Sequence, residues 1–166
     1  MIKHASWVHG NAVVTELPSG LYVQHWGWGT ELAFTYRLGQ SPAKAWCHIP
    51  IPTPVIVDNV RLKAQTFFLM FKTGQHAAID NIHVFDGPHK VHGWDVIEGS
   101  NYAARRTGDH SRGLDSSNVF VLPEPHEVMF GLSLAFAIAP VSVNTSLPLK
   151  DPEGSVLITG AGADLF

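Results

Sequence analysis

The stretch "TGDHSRGLDSSN", Thr107 to Asn118, gathers two aspartates, a histidine, an arginine and a run of hydroxyl and amide side chains between apolar segments. Residues of these types can do two kinds of chemistry. His110 can act as a general acid or base with Asp109 or Arg112 assisting, as in a lyase, isomerase or cyclase working by proton transfer. Alternatively, Arg112 and Asp115 can bind an anionic or hydroxylated ligand. Adjacent residues rarely face one another, so Asp109 is expected to cap a turn and not to partner His110. A plain polar loop held by Asx-type turns, with Ser116, Ser117 and Asn118 as caps, is the structural alternative. The length of the segment argues for a role: with "EGSNYAARR" before it, about twenty residues lack a strand pattern, and such long loops in a compact domain are usually functional or mobile.

Trp26 and Trp28 in "HWGWGT" stand two residues apart, a spacing that puts both indoles on one face of an extended chain while Gly27 and Gly29 thin the other. Tryptophan faces bind apolar sugar faces and small planar ligands. Trp26, Trp28, Tyr102 and Asp115 are therefore the expected binding group for a small-molecule or carbohydrate-like ligand. Trp7 and Trp46, beside His4, His9 and His48, are as well explained by core packing.

Ten histidines raise the question of a metal. His83, His89 and His92 lie on or beside one expected hairpin with Asp86 in its turn. His89 and His92 differ by three positions, which puts them on opposite faces of a strand, a poor arrangement for shared ligation. The expectation is no cofactor, with a divalent metal on these three histidines as the alternative. The single cysteine, Cys47, excludes an intramolecular disulfide and stands in apolar "AWCHIPIP", which favours an inert buried thiol.

The elements that must position these residues are strands. Fifteen glycines and eleven prolines are spread as punctuation every eight to twelve positions, the mark of many short strands in one domain over residues 1–166. From Phe130 to Ala139, large residues at Phe130, Leu132, Leu134, Phe136 and Ile138 alternate with Gly131, Ser133, Ala135, Ala137 and Ala139. One face is thick, and the thin one is expected to lie close under another layer or to line a space. Residues 62–72, "LKAQTFFLMFK", turn apolar on both faces from Phe67 to Phe71 and must be covered on both sides. Further strands are expected at residues 12–16, 21–26, 32–37, 45–49, 78–85, 91–97, 119–122 and 155–159, with "DGPHK" turning one pair into a hairpin. The prolines of "HIPIPTPVI" mark an extended edge or connection. No window has amphipathic helical spacing. The fold class is all-β: a two-layer antiparallel β-sandwich of jelly-roll type, with a flattened β-barrel as the alternative.

A net charge of −3 without a basic cluster beyond Arg105 and Arg106 excludes an electrostatic footprint for nucleic acid. The apolar run "VMFGLSLAFAIAPVSV" is too short to span a membrane, and "MIKHASWVHG" lacks the apolar core of a signal peptide, so a cytoplasmic protein is expected. "GAGADLF" has no following helix to make a phosphate cradle, the "NTS" at Asn144 matters only on a secretory route, and no "GxSxG" elbow supports a triad.

The segments "SWVHGNAVV", "IPIPTPVI", "IHVFDG" and "GDHSRGLDSSN" resemble parts of a small bacterial family of uncharacterised single-domain β proteins. That resemblance implies a stand-alone domain and no activity. The function expected from the residues is a β-sandwich that binds a small-molecule or sugar ligand. The proton-transfer enzyme is the alternative, and a self-assembling homo-oligomer that joins through "TFFLMF" or the thin face of residues 130–139 is a third.

Overall fold

The computed structural model describes residues 1–16, 20–35, 43–97, 99–141 and 153–166. Its strands are β1 (His4–His9), β2 (Val14–Thr15), β3 (Leu21–Trp26), β4 (Gly29–Phe34), β5 (Ala45–Ile51), β6 (Ile56–Val57), β7 (Val60–Arg61), β8 (Lys63–Thr73), β9 (Ala77–Asp86), β10 (His89–Asp95), β11 (Asp109–His110), β12 (Val119–Glu127), β13 (Leu132–Pro140) and β14 (Ser155–Leu165). Among the described residues there is no α-helix, only 3₁₀ turns at Gly10–Ala12 and Tyr102–Ala104.

The long strands β8 and β14 lie side by side at the centre of a seven-stranded sheet. β11 and β12 follow one another along the far edge of β8, while β1 and β4 do the same along β14, with β3 outside β4. The second layer is a five-stranded sheet in the order β10-β9-β13-β5-β2. Every pairing is antiparallel, and the chain crosses repeatedly between the layers, as the two-layer sandwich read from the periodicity requires.

Alternation fills the space between the sheets. Leu132, Leu134, Phe136 and Ile138 of β13 share one core with Phe67, Leu69 and Phe71 of β8. Each such side chain, once fully buried, contributes about 1.5–3 kcal/mol. The outer face of β8 is covered too, as its apolar run demands. Trp7 of β1 stacks on Phe68 with ring centroids 5.1 Å apart and planes within 8°. The residue between them in the register is Gly162 of β14, and a Cβ there would lie 2.7 Å from the Trp7 ring. Glycine at 162 is what lets the indole cross the strand.

Several boundaries differ from the sequence reading, and four of the differences have a local cause. β1 arises where no strand is expected, because "HASWVH" has no apolar alternation. β14 runs through "GAGAD" to Leu165 because its glycines receive neighbouring chains. β12 continues past Pro123 and Pro125, which fall in a register shift between Val121 and His126. β13 begins at Leu132, leaving Phe130 exposed, because the amides of Phe130 and Gly131 donate to Asp86 Oδ1 at 2.8 and 2.9 Å.

Candidate functional site

The hairpin joining β3 to β4 turns through Gly27 and Trp28, with Trp26 paired to Gly29. Gly29 has φ +150°, and a Cβ there would collide with the carbonyl oxygen of Ile158, so the tip is pressed against β14. The two indoles run nearly parallel, 13° apart with centroids at 6.4 Å, and both are exposed. The Trp26 indole N–H donates to Glu31 Oε2 at 3.3 Å.

From Glu31 a single register row crosses the sheet: Glu31 of β4, Leu157 of β14, Lys72 of β8 and Asp109 of β11. An open depression of about 470 Å³ lies over this row, lined by Trp28, Lys72, Asp109, Ser111, Arg112, Leu157 and Thr159. The structure thus brings Trp28, Asp109 and Arg112 to one place, with Trp26 stacked beside it. Lys72, Ser111, Leu157 and Thr159 were not singled out from the sequence. Thr159 ties the strand to the loop, its hydroxyl donating to the Ser111 carbonyl at 3.2 Å.

Asp109 caps the turn, accepting from the Ser111 amide at 3.2 Å and hydroxyl at 2.6 Å, and it pairs with Lys72 at 3.2 Å. The Ser111 bonds, followed by Lys72, hold its carboxyl down to about 2. Arg112 is exposed and has no hydrogen-bond or ion-pair partner among the described residues. The depression therefore offers an aromatic plate, a carboxylate ionised at neutral pH and an uncommitted guanidinium.

His110 lies on the other side of β11, its ring 5.1 Å from that of the buried Phe71. Its partner is Asp115: Nδ1 donates to Oδ2 at 2.6 Å, and Nε2 donates to the Thr107 carbonyl at 3.0 Å. Carboxylate and carbonyl oxygens only accept, so both ring nitrogens carry protons. Partial burial opposes that charge, but the bonds to Asp115 and Thr107 outweigh it and the pKa is raised. Asn118 knots the same loop, donating to the carbonyls of His110 and Gly113 at 2.9 and 2.6 Å and accepting from the Asp115 amide at 2.8 Å. Asp115 is thus engaged inside the loop. Tyr102 does not line the depression; its ring lies beneath the Arg105 guanidinium at 4.3 Å, and Arg105 in turn pairs with buried Asp80 at 2.9 Å.

The three histidines considered for a metal are not brought together. His83 bonds Asp95 at 2.5 Å, His89 lies against the Phe130 ring at 6.0 Å, and His92 meets Trp94 edge-on at 4.7 Å. Among the described residues no group of three or more His, Cys, Asp or Glu is arranged to hold a metal ion. Asp86 instead fastens the β12–β13 turn, accepting from the amides of Met129, Phe130 and Gly131 and from His126 Nε2. Cys47 is buried; that burial, and then the charge of Glu16, pushes its thiol up to about 12. No described helix is long and apolar enough to cross a membrane.

Neither curated proteins nor solved structures yield a match to the chain. A protein-family model matches residues 1–98, which contain "SWVHGNAVV", "IPIPTPVI" and "IHVFDG" but end before "GDHSRGLDSSN". Trp28 and Lys72 fall within the matched span, whereas Asp109, Ser111 and Arg112 lie beyond it. On a match covering more than half its length, the chain belongs to the family of unknown function DUF6623.

Proposed function

We propose that the protein binds a small hydroxylated ligand of carbohydrate type in the depression between Trp28 and Arg112. The observation that carries this reading is the convergence of Trp28 with Asp109, Ser111 and Arg112 over a floor of Leu157 and Thr159. An apolar sugar face lies on the indole, while hydroxyls donate to Asp109 and accept from Arg112 and Ser111. The depression is of the size that holds one small ligand, and Asp109 and Ser111 are fixed in it by the turn they share. Asp109 is held by Lys72 and Ser111 before any ligand arrives, so binding need not order that carboxylate.

Thermal melts against a panel of monosaccharides, disaccharides and sugar acids test the reading. A ligand at a hundredfold excess over its Kd adds about 2.7 kcal/mol, and at this chain length each kcal/mol raises Tm by roughly 2–4 °C. A Trp28→Ala variant should fold and lose the shift. A flat response across the panel, or an undiminished shift in folded Trp28→Ala, would overturn the proposal.

A further inference from the structure

The depression between Trp28 and Arg112 has an uneven inventory of hydrogen-bonding groups: its one charged acceptor is nearly saturated, and its charged donors are not. Asp109 supplies the only carboxylate among the lining residues. The Ser111 amide and hydroxyl both donate to Oδ1, at 3.2 and 2.6 Å, and Lys72 Nζ stands 3.2 Å from Oδ2. A carboxylate offers about four acceptor sites, so room remains there for about one more donor. Glu31, the next carboxylate along the same register row, does not line the depression and accepts from the Trp26 indole N–H.

The donors stand the other way. Lys72 pairs with Asp109 alone and keeps N–H groups to spare. The Trp28 indole N–H and the whole N–H fork of Arg112 have no partner among the described residues. Charge follows the same pattern. Lys72 cancels Asp109, and just outside the depression His110 cancels Asp115. Arg112 is left as an uncompensated positive charge on a chain whose net charge is −3. A ligand hydroxyl brings a donor of its own, for which little room remains at Asp109, whereas an anionic group only accepts and answers the charge as well.

We infer that the ligand is an acidic sugar of the uronic acid class, its carboxylate seated on the Arg112 guanidinium and its ring on Trp28. A planar carboxylate matches the guanidinium fork with two parallel N–H···O bonds. The spare N–H groups of Lys72 are free to donate to ring hydroxyl oxygens. This inference rests on the carbohydrate reading of the same depression and narrows it to one class of sugar.

Glucuronate and galacturonate are the probes, each set against its methyl ester, which keeps the ring and its hydroxyls and removes the charge. Thermal melts and the Trp28 indole signal report binding. At least one uronate should bind tenfold or more tighter than its ester, and sodium chloride at about 0.5 M should narrow the gap severalfold, because an exposed pair is screened. Arg112 is exposed and unpaired, so Arg112→Gln should fold and melt as the wild type does, and in it acid and ester should bind alike. Arg112→Lys, which keeps the charge and loses the fork, should retain part of the preference. Esters or neutral sugars that bind as tightly as the acids would overturn the inference and leave the carbohydrate reading standing. A preference for the acid that survives in Arg112→Gln, or a melt shift given equally by acetate, would overturn it too. If no uronate, ester or neutral sugar binds, both readings fall.

Discussion

Replacing Asp86 by asparagine should destabilise the protein severely without touching the depression between Trp28 and Arg112. The carboxylate is buried, 3% exposed, and accepts three backbone amides and the His126 N–H. Burial alone raises its pKa, but the amides of Gly131 and Met129, then His126 and the amide of Phe130, hold it down to about 2 from an ordinary 3.8. That difference corresponds to about 2.4 kcal/mol in favour of the charged form. Asparagine removes the charge and also turns an NH₂ toward the Met129 amide, and an orphaned donor costs a further 1–3 kcal/mol or so. The expected loss is about 3–5 kcal/mol, read as a shift in the urea midpoint at unchanged slope and as a Tm lower by roughly 6–20 °C. The pH dependence gives an independent check. Because the folded pKa is depressed, the contribution is complete above pH 3.8 and is lost as pH falls through about 2. The wild type should lose this component in acid, and Asp86→Asn should not have it to lose. A variant within about 0.5 kcal/mol of wild type, with the same acid limb, would refute the reasoning.

Three other outcomes follow from contacts already described. His110 has a raised pKa, so its contribution is complete below 6.5 and is lost as pH rises through the folded value. Melts between pH 6 and 9 should show this decline in the wild type and not in Asp115→Asn. Trp7→Ala uncovers Phe68 and the Gly162 gap, and should cost about 1–2 kcal/mol in urea denaturation, the stacked pair alone accounting for roughly 0.5–1.5. Cys47, with its thiol near 12, should be silent to a thiol reagent at pH 8 and react only in step with urea unfolding.

What could be read from the sequence depended on whether the signal was local. The alternation of β13 and the two-sided apolar run of Phe67–Phe71 are local patterns, and they placed the core strands correctly. The cover over Phe68 was not legible, because it is a tryptophan sixty-one positions away in a strand with no apolar alternation. Gly160 and Gly162 are explained only by their neighbours: a Cβ would lie 3.1 Å from the Val8 carbonyl oxygen at 160, and 2.7 Å from the Ser6 carbonyl oxygen and the Trp7 ring at 162. The candidate site was partly visible: Trp28 was singled out for ligand binding and Asp109 and Arg112 as assistants of His110, and Asp109 was expected to cap a turn and not to partner its neighbour. Its floor was not, since Leu157 and Thr159 join it only through the pairing of β14 with β4 and β8. Tyr102 and Asp115, also expected in the binding group, do not line the depression; their contacts are with Arg105 and His110, pairings that only the fold reveals.

The most direct measurement is a ¹⁵N NMR titration that follows the five tryptophan indole N–H signals while the tightest-binding sugar from the thermal panel is added. The Trp28 signal, with Trp26 beside it, should shift saturably while the Trp46 and Trp94 signals stay in place, and Arg112→Ala should weaken binding at least tenfold without lowering Tm. Shifts at Trp46 or Trp94 in place of Trp28, or an Arg112→Ala variant that binds as tightly as the wild type, would contradict it.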